Sequence, residues 1–215
     1  MAVGPNSLII NQTVSTAAAY YLLRNKPLWP WVSTIVQLAY TYEIDLNWIL
    51  SYLQMENDFG SAGPGGRHFS MDHNNPWDNL CYPYDVPQCG RYPAENWGAT
   101  HCKDPGNEYC YAVYPSMEIG LAAGYRQWQN YKSRGWDTWY KSLSVALCGN
   151  PGGCNSQWVD NVISTGRLNE QRWPYTGPEP TPQPVPITRV GLSGDTVLTL
   201  AGLAIMGGAI YLSRR

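Results

Sequence analysis

The stretch Ile49–Gly60, ILSYLQMENDFG, decides the fold. Leu46, Ile49, Leu50 and Leu53 keep the i, i+3, i+4, i+7 spacing of an amphipathic helix. Asp45 stands where an N-cap belongs, with a side-chain oxygen able to accept a first-turn N–H. Gly60 is a natural stop, because glycine readily takes the left-handed conformation that ends helices. Glu56 needs its own explanation. At about 100° per residue it falls on the flank of the apolar stripe, near Ile49, with Tyr52 and Leu53 one turn back. A carboxyl held against apolar surface is desolvated, which disfavours the charged form and raises its pKa. An acid kept protonated near neutral pH can give its proton to a leaving oxygen, as glycoside hydrolysis requires.

Outward from Glu56 the same periodicity recurs. Pro30 fits the first turn of a helix, and Val32, Ile35, Val36 and Ala39 follow at helical spacing. Ser116 predicts the cap of a further helix carrying Leu121, Tyr125 and Trp128; Asp137–Leu147 and Asn155–Ile163 predict two more. Ser61–Pro115, rich in Gly, Pro and Asn, reads as one long irregular lobe. Cys81, Cys89, Cys102, Cys110, Cys148 and Cys154 fall into three close pairs among turn formers, none with C-x-x-C spacing. Three local disulfides and an oxidising destination are expected, with the connectivity open. His68, His73 and His101 match no common ligand spacing, so no metal and no cofactor is expected.

Charged residues make up only 14% of the chain and the net charge is −2. No basic stripe appears, which argues against a nucleic-acid partner. Ten Trp and 16 Tyr stand against 2 Phe. Such rings pair an apolar face with a polar edge, which suits sugar stacking and ordinary cores alike. Pro174–Pro186, PYTGPEPTPQPVP, reads as an extended proline-rich spacer. Val197–Leu212 is uncharged and apolar; counted from Thr196 it reaches about 25 Å as a helix, the short end of a membrane span.

The fold expected is therefore mainly α: an N-terminal helical extension (1–30), a helical domain with an irregular disulfide-stapled lobe (31–173), a Pro-rich linker (174–195), a transmembrane helix (196–212) and a basic inner tail (213–215). MAVGPNSLII lacks the basic and apolar regions of an export signal. Together with the membrane tail, this places the expected protein on a virion membrane or cell envelope, its helical domain on the outer side.

AYTYEIDLNWILSYLQMENDFGSAG resembles the start of a glucosaminidase-type peptidoglycan hydrolase domain. In that family a helix ends in Glu, followed by an aromatic, Gly and often Ser; here these are Glu56, Phe59, Gly60 and Ser61. A paired-Asn motif with an aromatic follows as Asn74-Asn75-Pro76-Trp77, then a Tyr-x-Ser-x-Glu block as Tyr114, Ser116 and Glu118. A late helix like SQWVDNVI completes a series that runs in family order from Trp31 to Thr165. The chain departs from the pattern at Asn57, where the family carries Ser or Thr. It departs again at Trp77-Asp78-Asn79-Leu80, where the family runs aromatic-Gly-Ile, and in the insert Cys81–Cys110.

The resemblance implies a lysozyme-like fold and cleavage of β-1,4 bonds in the N-acetylglucosamine/N-acetylmuramic acid strands of peptidoglycan. Glu56 would be the general acid, with Phe59, Asn75, Trp77 and Tyr114 at the sugar groove. Glu95 is the preferred second acid, with Glu108, Asp72 and Asp78 as alternatives, and Glu118 reads as structural at a helix start. The expected partners are peptidoglycan strands, a lipid membrane through 196–212, and other virion proteins. Lytic transglycosylase chemistry, a non-catalytic glycan-binding module and a structural virion component are the competing readings.

Overall fold

The structure is a computed structural model that describes residues 3–61, 69–79, 98–103, 111–153 and 157–176. They belong to one compact unit, residues 1–183. The helices are α1 (Thr16–Leu22), α2 (Val32–Thr41), α3 (Leu46–Asn57), α4 (Phe69–Asp72), α5 (Met117–Ser133), α6 (Trp139–Cys148) and α7 (Gln157–Arg172). A 3-10 turn, Trp29–Trp31, leads into α2 and contains Pro30. Strands β1 (His101–Lys103) and β2 (Tyr111–Val113) pair antiparallel, with Cys102 opposite Ala112. The chain is mainly helical, as its periodicity predicts. The hairpin is an addition to the lobe that reads as irregular in sequence.

Helix α3 is central, packed on α7 and flanked by α1 and α2. Its apolar stripe, Leu46, Ile49, Leu50 and Leu53, is fully buried. Its polar residues Asn47 and Ser51 are buried too, because α7 lies along them. Asn47 Nδ2 donates to the Gly166 carbonyl at 2.9 Å, and Asn169 Nδ2 donates to Ser51 Oγ at 3.3 Å. A one-sided pattern thus becomes a helix buried all round, with a hydrogen-bonded polar seam. The tryptophan excess goes largely into the core: Trp48, Trp77, Trp128 and Trp139 are among its largest buried side chains. Tyr52 stacks on Trp48 with ring centroids 5.4 Å apart, and Trp128 meets Trp48 edge-on at 4.3 Å.

Asp45 caps α3 as the sequence predicts, accepting the Asn47 N–H at 3.0 Å. It also accepts the Thr13 N–H at 3.1 Å and the Thr13 hydroxyl at 2.9 Å. The N-terminal segment is thereby built into the body. Ile9 donates its N–H to Asp137, Trp139 donates to Ser7, and Tyr175 donates to Thr13. Burial pushes the Asp45 carboxyl up to about 7, against the pull of these donors. Asp45→Ala strands one buried and two part-buried donors and is expected to cost about 3 kcal/mol of stability in urea unfolding. A loss below about 1 kcal/mol would mean that Thr13 and Asn47 find other acceptors.

Two expectations are corrected. No helix among the described residues is long and apolar enough to cross a membrane. The two longest, α5 and α7, are amphipathic and carry Glu118, Arg126 and Lys132, and Asp160, Arg167 and Glu170, respectively. The single-pass membrane placement and its basic inner tail are therefore not carried further; residues 196–212 themselves lie outside the described residues. The three-staple lobe is corrected as far as the described residues reach: among them no two cysteines stand at disulfide distance. Cys148, the one cysteine with a described side chain, is in a disulfide. Cys81, Cys89, Cys110, Cys154 and the side chain of Cys102 lie outside the described residues.

Candidate active site

Helix α3 ends sooner than Gly60 suggests. Asp58, Phe59 and Gly60 take successive left-handed conformations, with φ of 47°, 57° and 85°. Gly60 is required there, since a Cβ would sit 2.8 Å from Met71 Sδ and 3.2 Å from Pro27 Cβ. The tight exit buries Phe59, whose carbonyl accepts the Leu28 N–H at 3.1 Å. Glu56 is left in the last turn, half-buried.

A turn over residues 73–79 comes up against this helix end. Asn75 organises it. Its Nδ2 donates to the carbonyls of Asn79 at 2.9 Å and Ala112 at 3.0 Å, and its Oδ1 accepts the Asn79 N–H at 3.0 Å. Trp77 points into the core and donates its indole N–H to the Leu121 carbonyl at 3.0 Å. Asn74 Nδ2 donates to the Tyr114 carbonyl, and the Tyr114 N–H donates to His73. Asp78 has a φ of 51°, in the left-handed region that Asn and Asp enter more readily than other non-glycine residues.

The turn brings the Asp78 carboxyl into hydrogen-bond contact with Glu56. Burial, then the Asp78 charge and the hydrogen bond to it, push Glu56 up from 4.5 to about 7. Burial pushes Asp78 up from 3.8 to about 6, while the bond from Glu56 pulls it down. Both carboxyls are held above their ordinary range, Glu56 further than Asp78, which makes Glu56 the proton donor of a coupled pair. Tyr52 lies beneath: burial, then the charges of Glu56 and Asp78, hold its phenol well above the ordinary value. The pair can deliver one proton to a leaving group and keep a negative charge beside the centre that becomes positive.

The other predicted site residues fall behind this pair. Phe59, Trp77 and Tyr114 are each no more than 2% exposed, and Asn75 is 1% exposed. Here they shape the backbone that presents Asp78. Burial lifts the Tyr114 phenol to about 12, and its oxygen accepts from Asn79 Nδ2 at 3.1 Å. Glu95 and Glu108 lie outside the described residues, and Asp72 is exposed on α4. Glu118 opposes its partial desolvation with bonds from its own N–H, the Ser116 hydroxyl and the Trp31 indole, which hold it below the usual range. Half-buried Trp158 on α7 meets Tyr52 edge-on at 5.6 Å, adding an aromatic that the sequence marks only through its late-helix motif. Among the described residues no cluster of His, Cys, Asp and Glu could hold a metal. No protein-family model, curated protein or solved structure matches the chain.

Proposed function

We propose that this chain is a glycosidase of the β-1,4-linked N-acetylglucosamine/N-acetylmuramic acid strands of peptidoglycan, with Glu56 as general acid. The observation that carries the reading is the half-buried Glu56–Asp78 pair, whose burial pushes both carboxyls up, Glu56 to about 7 and Asp78 to about 6. In the reaction Glu56 protonates the leaving glycosidic oxygen. The pair then holds two negative charges beside a sugar ring turning oxocarbenium-like, so its electrostatic stabilisation grows as the transition state forms. The order of the Glu56, Asn75 and Tyr114 motifs supports the substrate class.

The contact between the carboxyls favours one version of this chemistry. Retaining glycosidases set their acids about 5–5.5 Å apart and inverting ones about 6.5–9.5 Å apart. Asp78 interacts directly with Glu56, which fits neither arrangement, so among the described residues no carboxylate is set for the attack and we assign it to the substrate itself, through its acetamido oxygen or its 6-hydroxyl. In the second route the 6-hydroxyl proton passes to the emptied Glu56 and the product carries an anhydro end. Purified peptidoglycan treated with the protein should yield new ends identifiable by mass spectrometry and reducing-end labelling. Reducing ends mark hydrolysis, anhydro ends mark the intramolecular route, and a digest with neither overturns the reading.

Turnover requires Glu56 protonated and Asp78 ionised, so the rate should peak between the pair's values of about 6 and about 7. Asp78→Asn removes the neighbouring negative charge, so Glu56 ionises more easily. The alkaline limb should move to lower pH and the acid limb should disappear. Initial rates of peptidoglycan clearing against pH check this, and identical limbs in variant and wild type would remove Asp78 from the site.

A further inference from the structure

The geometry points to Asn57 as the positioning residue of the Glu56–Asp78 pair, its buried side-chain amide tying the end of α3 to the turn that carries Asp78. Asn57 follows Glu56 directly and is 6% exposed. Its Nδ2 donates to the Pro76 carbonyl at 2.9 Å, and its Oδ1 accepts the Gly60 N–H at 2.9 Å. Five residues earlier on the same helix, the Tyr52 hydroxyl donates to the Trp77 carbonyl at 3.3 Å. Helix α3 thus grips two successive carbonyls, and the next residue is Asp78.

The other ties of the turn run elsewhere. Trp77 bonds to α5, and Asn75 and Asn79 bond to Ala112 in β2. Those bonds fix the turn to α5 and the hairpin, and leave its spacing from α3 to Asn57 and the longer Tyr52 contact. Asn suits the task because its donor and its acceptor point to different segments at once. Ser or Thr can cap the Gly60 N–H, as short hydroxyls do in turns, but is too short to reach a carbonyl across the gap as well. The departure from the glucosaminidase pattern at this position thereby acquires a physical reason. Among the described residues, the ionisable groups that act on one another at the pair are Glu56, Asp78 and Tyr52, with Tyr131 acting on Tyr52.

Its importance for turnover rests on the glycosidase reading, so the test observes the carboxyls directly. The full chain, labelled with 13C at Glu and Asp carboxyls, is titrated by NMR as wild type, Asn57→Ala and Asn57→Ser. Wild type should show two coupled steps. Both variants should show the upper step lowered by about one pH unit or more, with the coupling between the carboxyls gone. Asn57→Ser keeps an acceptor for Gly60, so it stays folded even if Asn57→Ala does not. Folded variants with wild-type titration curves would overturn the proposal, as would uncoupled carboxyls in the wild type. A wild type that pairs its carboxyls but leaves peptidoglycan intact would defeat the glycosidase reading alone.

Discussion

Glu56→Gln should lower the rate of peptidoglycan cleavage by about 10²–10⁴-fold and at the same time make the folded protein more stable at mildly alkaline pH. The first effect follows because glutamine keeps the shape of the side chain but has no proton to give a leaving oxygen. The second follows from linkage. Glu56 is raised from 4.5 to about 7 in the fold, so between those values the folded state binds more proton than the unfolded state. Its contribution to stability is therefore fully present below 4.5 and is lost as pH rises through about 7. Asp78 behaves alike between 3.8 and about 6. The variant lacks the Glu56 penalty, so its melting temperature should exceed that of wild type above neutrality, with the difference shrinking toward acid. Calorimetry at the two extremes reads one arm and a peptidoglycan zymogram the other. An offset independent of pH would show that Glu56 is not held protonated, and retained digestion would remove it as the acid.

What was legible in the sequence is what is local. The Asp45 and Ser116 caps and the stripe from Leu46 to Leu53 depend on neighbours within a turn or two, and the structure shows them where the pattern predicts. Glu56 could be singled out because its flank position already implies desolvation. Its neighbour Asp78 could be named only as an alternative behind Glu95, since the contact depends on Asn57, Tyr52, Asn75 and Trp77 bonding to main-chain groups 19, 25, 37 and 44 residues away. Trp77 and Tyr114 are ambiguous in sequence for the reason given by their chemistry: the same ring serves a sugar or a core, and here the indole and phenol find protein partners. Asn47 and Ser51 look like a solvent face until α7 covers them with a carbonyl and an amide. The glycines of α5 carry the least signal of all, because a missing side chain says nothing of what fills its place.

Gly120→Ala tests that last point. In a helix interior alanine is ordinarily the better residue by about 1 kcal/mol. At Gly120 the sign should reverse. A Cβ there would lie 1.7 Å from the Asn74 carbonyl oxygen and 2.9 Å from its carbon. These are main-chain atoms, and Asn74 is further pinned by its φ of 52° and by its amide bond to Tyr114. No rotamer change relieves the clash, so the turn must lift from α5, at a cost of about 3 kcal/mol or more. Gly124, one helical turn on, gives a graded comparison. Its Cβ would meet the Trp77 indole at 2.2 Å, which a tilt of the ring could relieve by giving up the bond to Leu121. Gly124→Ala should therefore destabilise less than Gly120→Ala in urea unfolding. Lifting the turn also carries Asp78 away from Glu56, so in Gly120→Ala the Glu56 carboxyl should titrate nearer its ordinary range. Stability equal to or above wild type in Gly120→Ala would mean that α5 and the turn do not approach as closely as this site needs, and the presentation of Asp78 would then require another cause.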